Sequence, residues 1–104
     1  MNQPQERRRD PRFPIQQLAI VKYEDDGPRE LRATTENASL GGAFVHAETT
    51  IADGSTVEVT LLLKSDDPLK LTRLRAVGRV VRVERLEAGR FGIAIKYEHP
   101  ILQV

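Results

Sequence analysis

From Ile15 onward, apolar and polar residues alternate with a period of two in short runs set apart by turn residues, the signature of half-buried strands. Ile15 to Tyr23 places Ala19, Val21 and Tyr23 on one face and stops at Asp25-Asp26-Gly27-Pro28, a strong turn signal. Arg29 to Glu36 sets Leu31, Ala33 and Thr35 against Glu30, Arg32 and Thr34. After the turn Asn37 to Gly42, a brief run Ala43 to Ala47 carries Phe44 and Val45. Thr56 to Lys64 is the clearest alternation, with Val57, Val59, Leu61 and Leu63 opposite Thr56, Glu58 and Thr60. Leu69 to Glu84 sets Val77, Val81 and Val83 against Arg79 and Arg82, with Gly78 expected at a bend or bulge. Arg90 to Tyr97 alternates Phe91, Ile93, Ile95 and Tyr97 with Gly92, Ala94 and Lys96.

Six or seven strands at this spacing predict an all-β fold, a small antiparallel barrel or sandwich. A hydrophobic content of 39% suits the single narrow core of a barrel better than two packed layers. No segment keeps an amphipathic helical period over three turns, and the tail from Glu98 to Val104 offers at most one helical turn, opposed by Pro100.

The first fourteen residues differ from everything after them. They carry three prolines, two glutamines and the run Arg7-Arg8-Arg9-Asp10-Pro11-Arg12, with scarcely an apolar side chain, so they cannot bury enough surface to offset their own ordering entropy. The expected division is therefore a flexible basic arm over 1–14 and a barrel domain over 15–104.

Composition narrows the function classes. With 104 residues the chain supports one core. Sixteen basic against fifteen acidic residues give a net charge of +1, which argues against a general binder of nucleic-acid polymers or membrane surfaces. The basic excess is local: four arginines against two acids between Met1 and Arg12 give 4 − 2 = +2. The absence of cysteine excludes disulfides and thiolate metal sites. His46 and His99 have no further ligands near them in sequence, so no metal and no cofactor is expected. No apolar run reaches the length of a membrane helix and the start is polar, so a cytoplasmic location without membrane insertion is the expectation. Asp25-Asp26 and Asp66-Asp67 sit beside Gly27-Pro28 and Pro68 and read as turn residues; with no Ser/His/Asp or Cys/His constellation, an enzyme is not expected.

Two polar clusters carry the chemistry. Arginine supplies a planar fork of donors for phosphate oxygens or a guanine edge, and Asn37-Ala38-Ser39-Leu40-Gly41-Gly42 supplies short hydrogen-bonding arms and a backbone open to close approach. Each has an ordinary explanation alone, a solvated basic terminus and a local turn. Together, in this order, with a strand between and β-rich sequence after, the pattern Arg-Arg-x-x-x-Arg then Asn-x-Ser-x-x-Gly resembles the PilZ domain, a bacterial receptor module for cyclic di-GMP. The resemblance runs from about Arg7 to Tyr97 and includes the less specific stretches Gly78 to Arg82 and Arg90 to Ile95.

That resemblance implies a six-stranded barrel with the ligand on its outer surface, between the arginine arm and the Asn/Ser turn. Arg8 and Arg12 match the spaced arginines and Arg7 the residue before them, a position tied in the family to whether one or two ligand molecules bind. Asn37, Ser39 and Gly42 match the second motif. Arg8 and Arg12 are expected to grip guanine edges and phosphates, Asn37 and Ser39 to bond from the barrel side, and Gly42 to turn the chain without a side chain in the ligand's path. Ligand-driven ordering of the arm would then change the surface offered to a downstream protein partner. The alternative within the family is an adaptor that keeps the barrel but binds only protein. A single-stranded nucleic-acid barrel is disfavoured because Phe13, Phe44, Phe91, Tyr23 and Tyr97 are scattered and mostly in core register.

Overall fold

A computed structural model describes residues 17–39, 41–64, 71–99 and 102–103. The arm, with Arg7, Arg8 and Arg12, lies outside the described residues. The strands are β1 (Leu18–Glu24), β2 (Pro28–Ala38), β3 (Gly42–Ala47), β4 (Thr56–Lys64), β5 (Leu71–Arg85), β6 (Phe91–Tyr97) and β7 (Leu102–Gln103). A single 3-10 turn, Glu87–Gly89, joins β5 to β6.

All pairings are antiparallel, in the order β4-β1-β2-β3-β6-β5, and β5 returns to β4, closing a six-stranded barrel. Closure removes the free edges that an open sheet of this size would expose. β7 adds to β5 at Leu74 and Arg75, so the tail contributes a strand where at most a helical turn was expected.

Side chains pointing inward are apolar and often small. Ala19, Val21, Leu31, Ala33, Val45, Ala47, Val57, Val59, Leu61, Ala76, Val80, Ile93 and Ile95 are all buried. The repeated alanines fit the narrow interior of a six-stranded barrel, where larger residues from facing walls would collide. Thr35 is the buried polar exception. Its backbone N–H donates to the Gln17 carbonyl at 2.8 Å, and its Oγ1 accepts from the Gln17 N–H at 2.9 Å, which holds Gln17 beside β2.

Two strands break the period-two rule at one residue each. The β2–β3 register passes from Thr35↔Val45 to Asn37↔Phe44, leaving Glu36 as an extra residue. The β5–β6 register passes from Val80↔Ile95 to Arg82↔Ala94, leaving Val81 as another. Each bulge turns two consecutive side chains outward and resets the alternation, so Ala38 is buried although it lies three residues from buried Thr35. On β5 this corrects the expected facing: Val77 and Val81 are exposed, at 36% and 48%, while Ala76 and Val80 line the core. The bend is at Val81 rather than Gly78, whose hydrogen in place of a Cβ accommodates the Lys96 carbonyl oxygen 2.6 Å from where that Cβ would lie.

Candidate functional site

The ladders of β2, β3, β6 and β5 bring four outward residues into one row: Asn37, Phe44, Ala94 and Arg82. The next row is His46, Gly92 and Glu84, and on the other side lie Gly42, Lys96 and Arg79. All of these residues except His46, Gly92 and Arg79 line a depression of about 520 Å³, whose lining includes Asn37, Ser39 and Gly42 together with Glu36, Phe44, Arg82, Glu84 and Lys96. The second sequence motif is therefore assembled on one face of the barrel. A larger depression of about 720 Å³, lined by Lys22, Tyr23, Arg29, Ser55, Glu58 and others, holds none of the motif residues.

Local bonding sets what each motif residue can offer. The Ser39 N–H donates to the Gly42 carbonyl at 2.9 Å, and the Gly41 N–H donates to Ser39 Oγ at 3.2 Å, so the turn is closed by the serine itself. Because the hydroxyl oxygen is the acceptor there, its proton is left to donate outward. The Asn37 amide makes no hydrogen bond among the described residues, although it stands in the wall of the depression. Gly42 also has a packing role. It is a strand residue, and a Cβ there would fall 2.3 Å from the backbone oxygen of Ile95, so glycine lets β3 lie close against β6.

The floor of the site is an aromatic-cationic pair. Phe44 points outward, against the expectation that the aromatics mostly follow the core register, and its ring lies across Gly92, where a Cβ would meet Phe44 Cζ at 2.4 Å. The Arg82 guanidinium carbon stands 5.7 Å from the centre of that ring, within the range of a cation–π contact. His46 meets Phe44 edge-on, with ring centres 5.5 Å apart, and His46 Nε2 lies 3.0 Å from Glu36 Oε2. Glu84 is further from its neighbour, 3.8 Å from Arg82 Nη2, and so keeps its acceptor positions open. Sequence reading passed over Phe44, Arg82 and Glu84. Arg82 and Phe44 share a row only because Val81 is bulged out, which strict alternation does not reveal.

Charge on this wall is balanced. Arg82 and Lys96 stand against Glu36 and Glu84, 2 − 2 = 0. Arg79, in the same row as Lys96 but outside the lining, is engaged by Glu98 at 3.3 Å. Among the described residues, no group of three histidines, cysteines, aspartates or glutamates could hold a metal ion.

Comparison with known proteins bears on the family and the fold. No curated protein sequence matches the chain. A solved structure described as the Bacillus subtilis inhibitor of motility (MotI/DgrA) is similar in fold, with a TM-score of 0.73 at 16% identity. The match covers 90% of the present chain and 44% of that one, so the chain spans less than half the length of this neighbour. The family model of the PilZ domain matches residues 6–103, from just before the arginine run to the last strand, and the chain belongs to the PilZ domain family.

Proposed function

We propose that this PilZ domain is a cyclic di-GMP receptor, in which the arginine arm and the Asn37/Ser39 turn clamp the dinucleotide against the outer face of β2, β3, β6 and β5. The observation that carries the reading is the charge-balanced but polar wall. Asn37 and the Ser39 hydroxyl offer unengaged hydrogen-bonding groups and Arg82 over Phe44 offers a stacking surface, yet the wall brings no net positive charge to a ligand with two phosphates. The missing charge is supplied by Arg7, Arg8 and Arg12.

The arm is attached in the right place. Gln17 is bonded to Thr35, two residues before Asn37. Arg12 is five residues upstream of Gln17, so its Cα lies within about 17 Å of that anchor, and Arg8 within roughly 30 Å. Thr35 is two residues from Asn37, so spans of these lengths would suffice to bring Arg12 and Arg8 to the depression with the barrel unchanged.

Magnitudes show that both sides are required. Micromolar affinity corresponds to about 8 kcal/mol, and one bidentate arginine contact to guanine contributes roughly 1 to 3 kcal/mol. Two arginines fall short, and ordering the arm opposes binding. Stacking on Arg82 and Phe44, at about 1 to 3 kcal/mol per base, closes much of the gap. The output is the arm: once held across the barrel, it changes the surface available to a protein partner. PilZ domains act through binding, and the reading assigns no catalysis to this one.

Calorimetry with cyclic di-GMP on Arg8→Ala, Arg12→Ala and Arg12→Lys tests the clamp. Each is expected to weaken binding about tenfold or more, with lysine nearly as poor as alanine because it lacks the two-pronged fork. Unchanged affinity in all three removes the arm from the mechanism. An absence of saturable binding by the unaltered chain leaves the adaptor that binds only protein.

A further inference from the structure

We infer that the Glu84 carboxylate is the group that selects guanine over adenine, accepting hydrogen bonds from N1–H and N2–H of a base stacked on Arg82 and Phe44. The inference rests on the receptor reading and concerns the same depression. It starts from an electrostatic oddity: a wall proposed to take a ligand with two negative charges carries two carboxylates of its own, Glu36 and Glu84. Like charges at this range oppose binding, so a carboxylate here costs affinity unless it bonds directly to the ligand.

The two acids differ in what they already do. Glu36 Oε2 is engaged by His46 Nε2 at 3.0 Å. Among the described residues Glu84 has one charged partner, Arg82, at 3.8 Å, beyond hydrogen-bond distance, and its side chain is 46% exposed. Placement favours Glu84 as well. It follows Arg82 by two residues on the outward face of β5, so its carboxylate borders the edge of a base lying on the Arg82–Phe44 pair. Its cross-strand partner on β6 is Gly92, over which the Phe44 ring lies, so the carboxylate stands beside the ring on which the base stacks. Asn37 stands at the opposite end of the row, beyond Phe44 and Ala94.

The chemistry discriminates in both directions. The Watson–Crick edge of guanine presents two adjacent donors, N1–H and N2–H, which a carboxylate accepts with its two oxygens. Adenine presents a lone pair at N1 and no amino group at C2, so the same carboxylate meets an acceptor and stays unsatisfied. A neutral amide offers guanine a single acceptor, whereas its oxygen and NH2 group pair with the N6–H donor and N1 acceptor of adenine.

Calorimetry of the unaltered chain, Glu84→Gln and Glu36→Gln against cyclic di-GMP, cyclic di-AMP and the inosine analogue lacking N2 tests the assignment. Glu84→Gln is expected to weaken cyclic di-GMP at least about tenfold, although it removes a negative charge beside an anionic ligand, and to leave cyclic di-AMP unchanged or tighter. Glu36→Gln is expected to change guanine selectivity less than threefold. The inosine analogue should bind the unaltered chain more weakly than cyclic di-GMP and lose less on Glu84→Gln. Equal or tighter binding of cyclic di-GMP by Glu84→Gln overturns the inference while the receptor reading stands. A chain that binds none of the three nucleotides overturns both.

Discussion

At Gly92 and Gly42 the same missing Cβ does two different jobs, and substitution separates them. A Cβ at Gly92 would meet the far end of the Phe44 ring, which can swing away; a Cβ at Gly42 would meet the Ile95 backbone oxygen, which cannot move without parting the β3–β6 ladder. Gly92→Ala is therefore expected to leave unfolding free energy within about 1 kcal/mol of the parent while lowering cyclic di-GMP affinity about tenfold, the value of a stacked base. Gly42→Ala is expected to destabilise the fold by about 1 to 3 kcal/mol, as overpacking does. Urea melts and calorimetry on both variants check the contrast; equal effects on both readouts would count against it.

Tyr97 gives a second residue-scale test. Its hydroxyl is buried with no hydrogen-bond partner among the described residues, and burial pushes the phenol up to about 12 from its ordinary value of 10. Below pH 10 the phenol is protonated in both folded and unfolded chains and the ionisation does not affect stability. Between pH 10 and 12 the unfolded chain ionises first, so this contribution is lost as pH rises, at up to about 1.4 kcal/mol per pH unit. Tyr97→Phe is expected to remove that part of the alkaline loss and to match or exceed the parent at pH 7 by up to about 1 kcal/mol, since an unsatisfied hydroxyl disappears. Urea midpoints at pH 7, 10 and 12 measure it.

Among the elements, legibility followed the regularity of the ladder. β4 reads correctly from end to end because Val57, Val59 and Leu61 face the core without interruption and turn residues precede and follow it. β1, β2 and β6 read correctly in their inward residues, with ends misplaced by at most three positions; β3 was located to within one residue, but Phe44, expected with the core-register aromatics, points outward. β5 did not read correctly. Its valines at 77, 80, 81 and 83 keep no single period, because the extra residue Val81 shifts the phase: Val80 and Val83, three apart, both face the core and Arg82 follows Val81 outward. Nothing in a single sequence distinguishes a bulge from a regular pair when both neighbours are valine. The same limit hid half of the candidate site: Asn37, Ser39 and Gly42 form a contiguous motif, whereas Phe44, Arg82 and Glu84 meet only through cross-strand register. β7 escaped notice because two residues, Leu102 and Gln103, carry no period.

For the whole molecule, folding and binding are assigned to different parts of the chain, and removing one part tests the division. Among the described residues the core cluster runs from Ala19 to Tyr97, and the sequence of residues 1–14 holds scarcely an apolar side chain to add to it. Those residues hold four arginines and two acids, so a chain without them keeps 12 basic and 13 acidic residues and its net charge changes from +1 to −1. Such a chain is expected to unfold within about 0.5 kcal/mol of the parent, as changes remote from a core do. It is also expected to lose at least about thirtyfold in affinity for cyclic di-GMP, the smaller end of two bidentate arginine contacts. The salt dependence should change in step, because screening weakens attraction between the arm and the phosphates and leaves stacking on Phe44 largely untouched. Raising salt should therefore weaken binding by the parent chain steeply and residual binding by the shortened chain little. A shortened chain that binds as tightly as the parent would place the whole site on the barrel wall, despite the zero net charge of that wall.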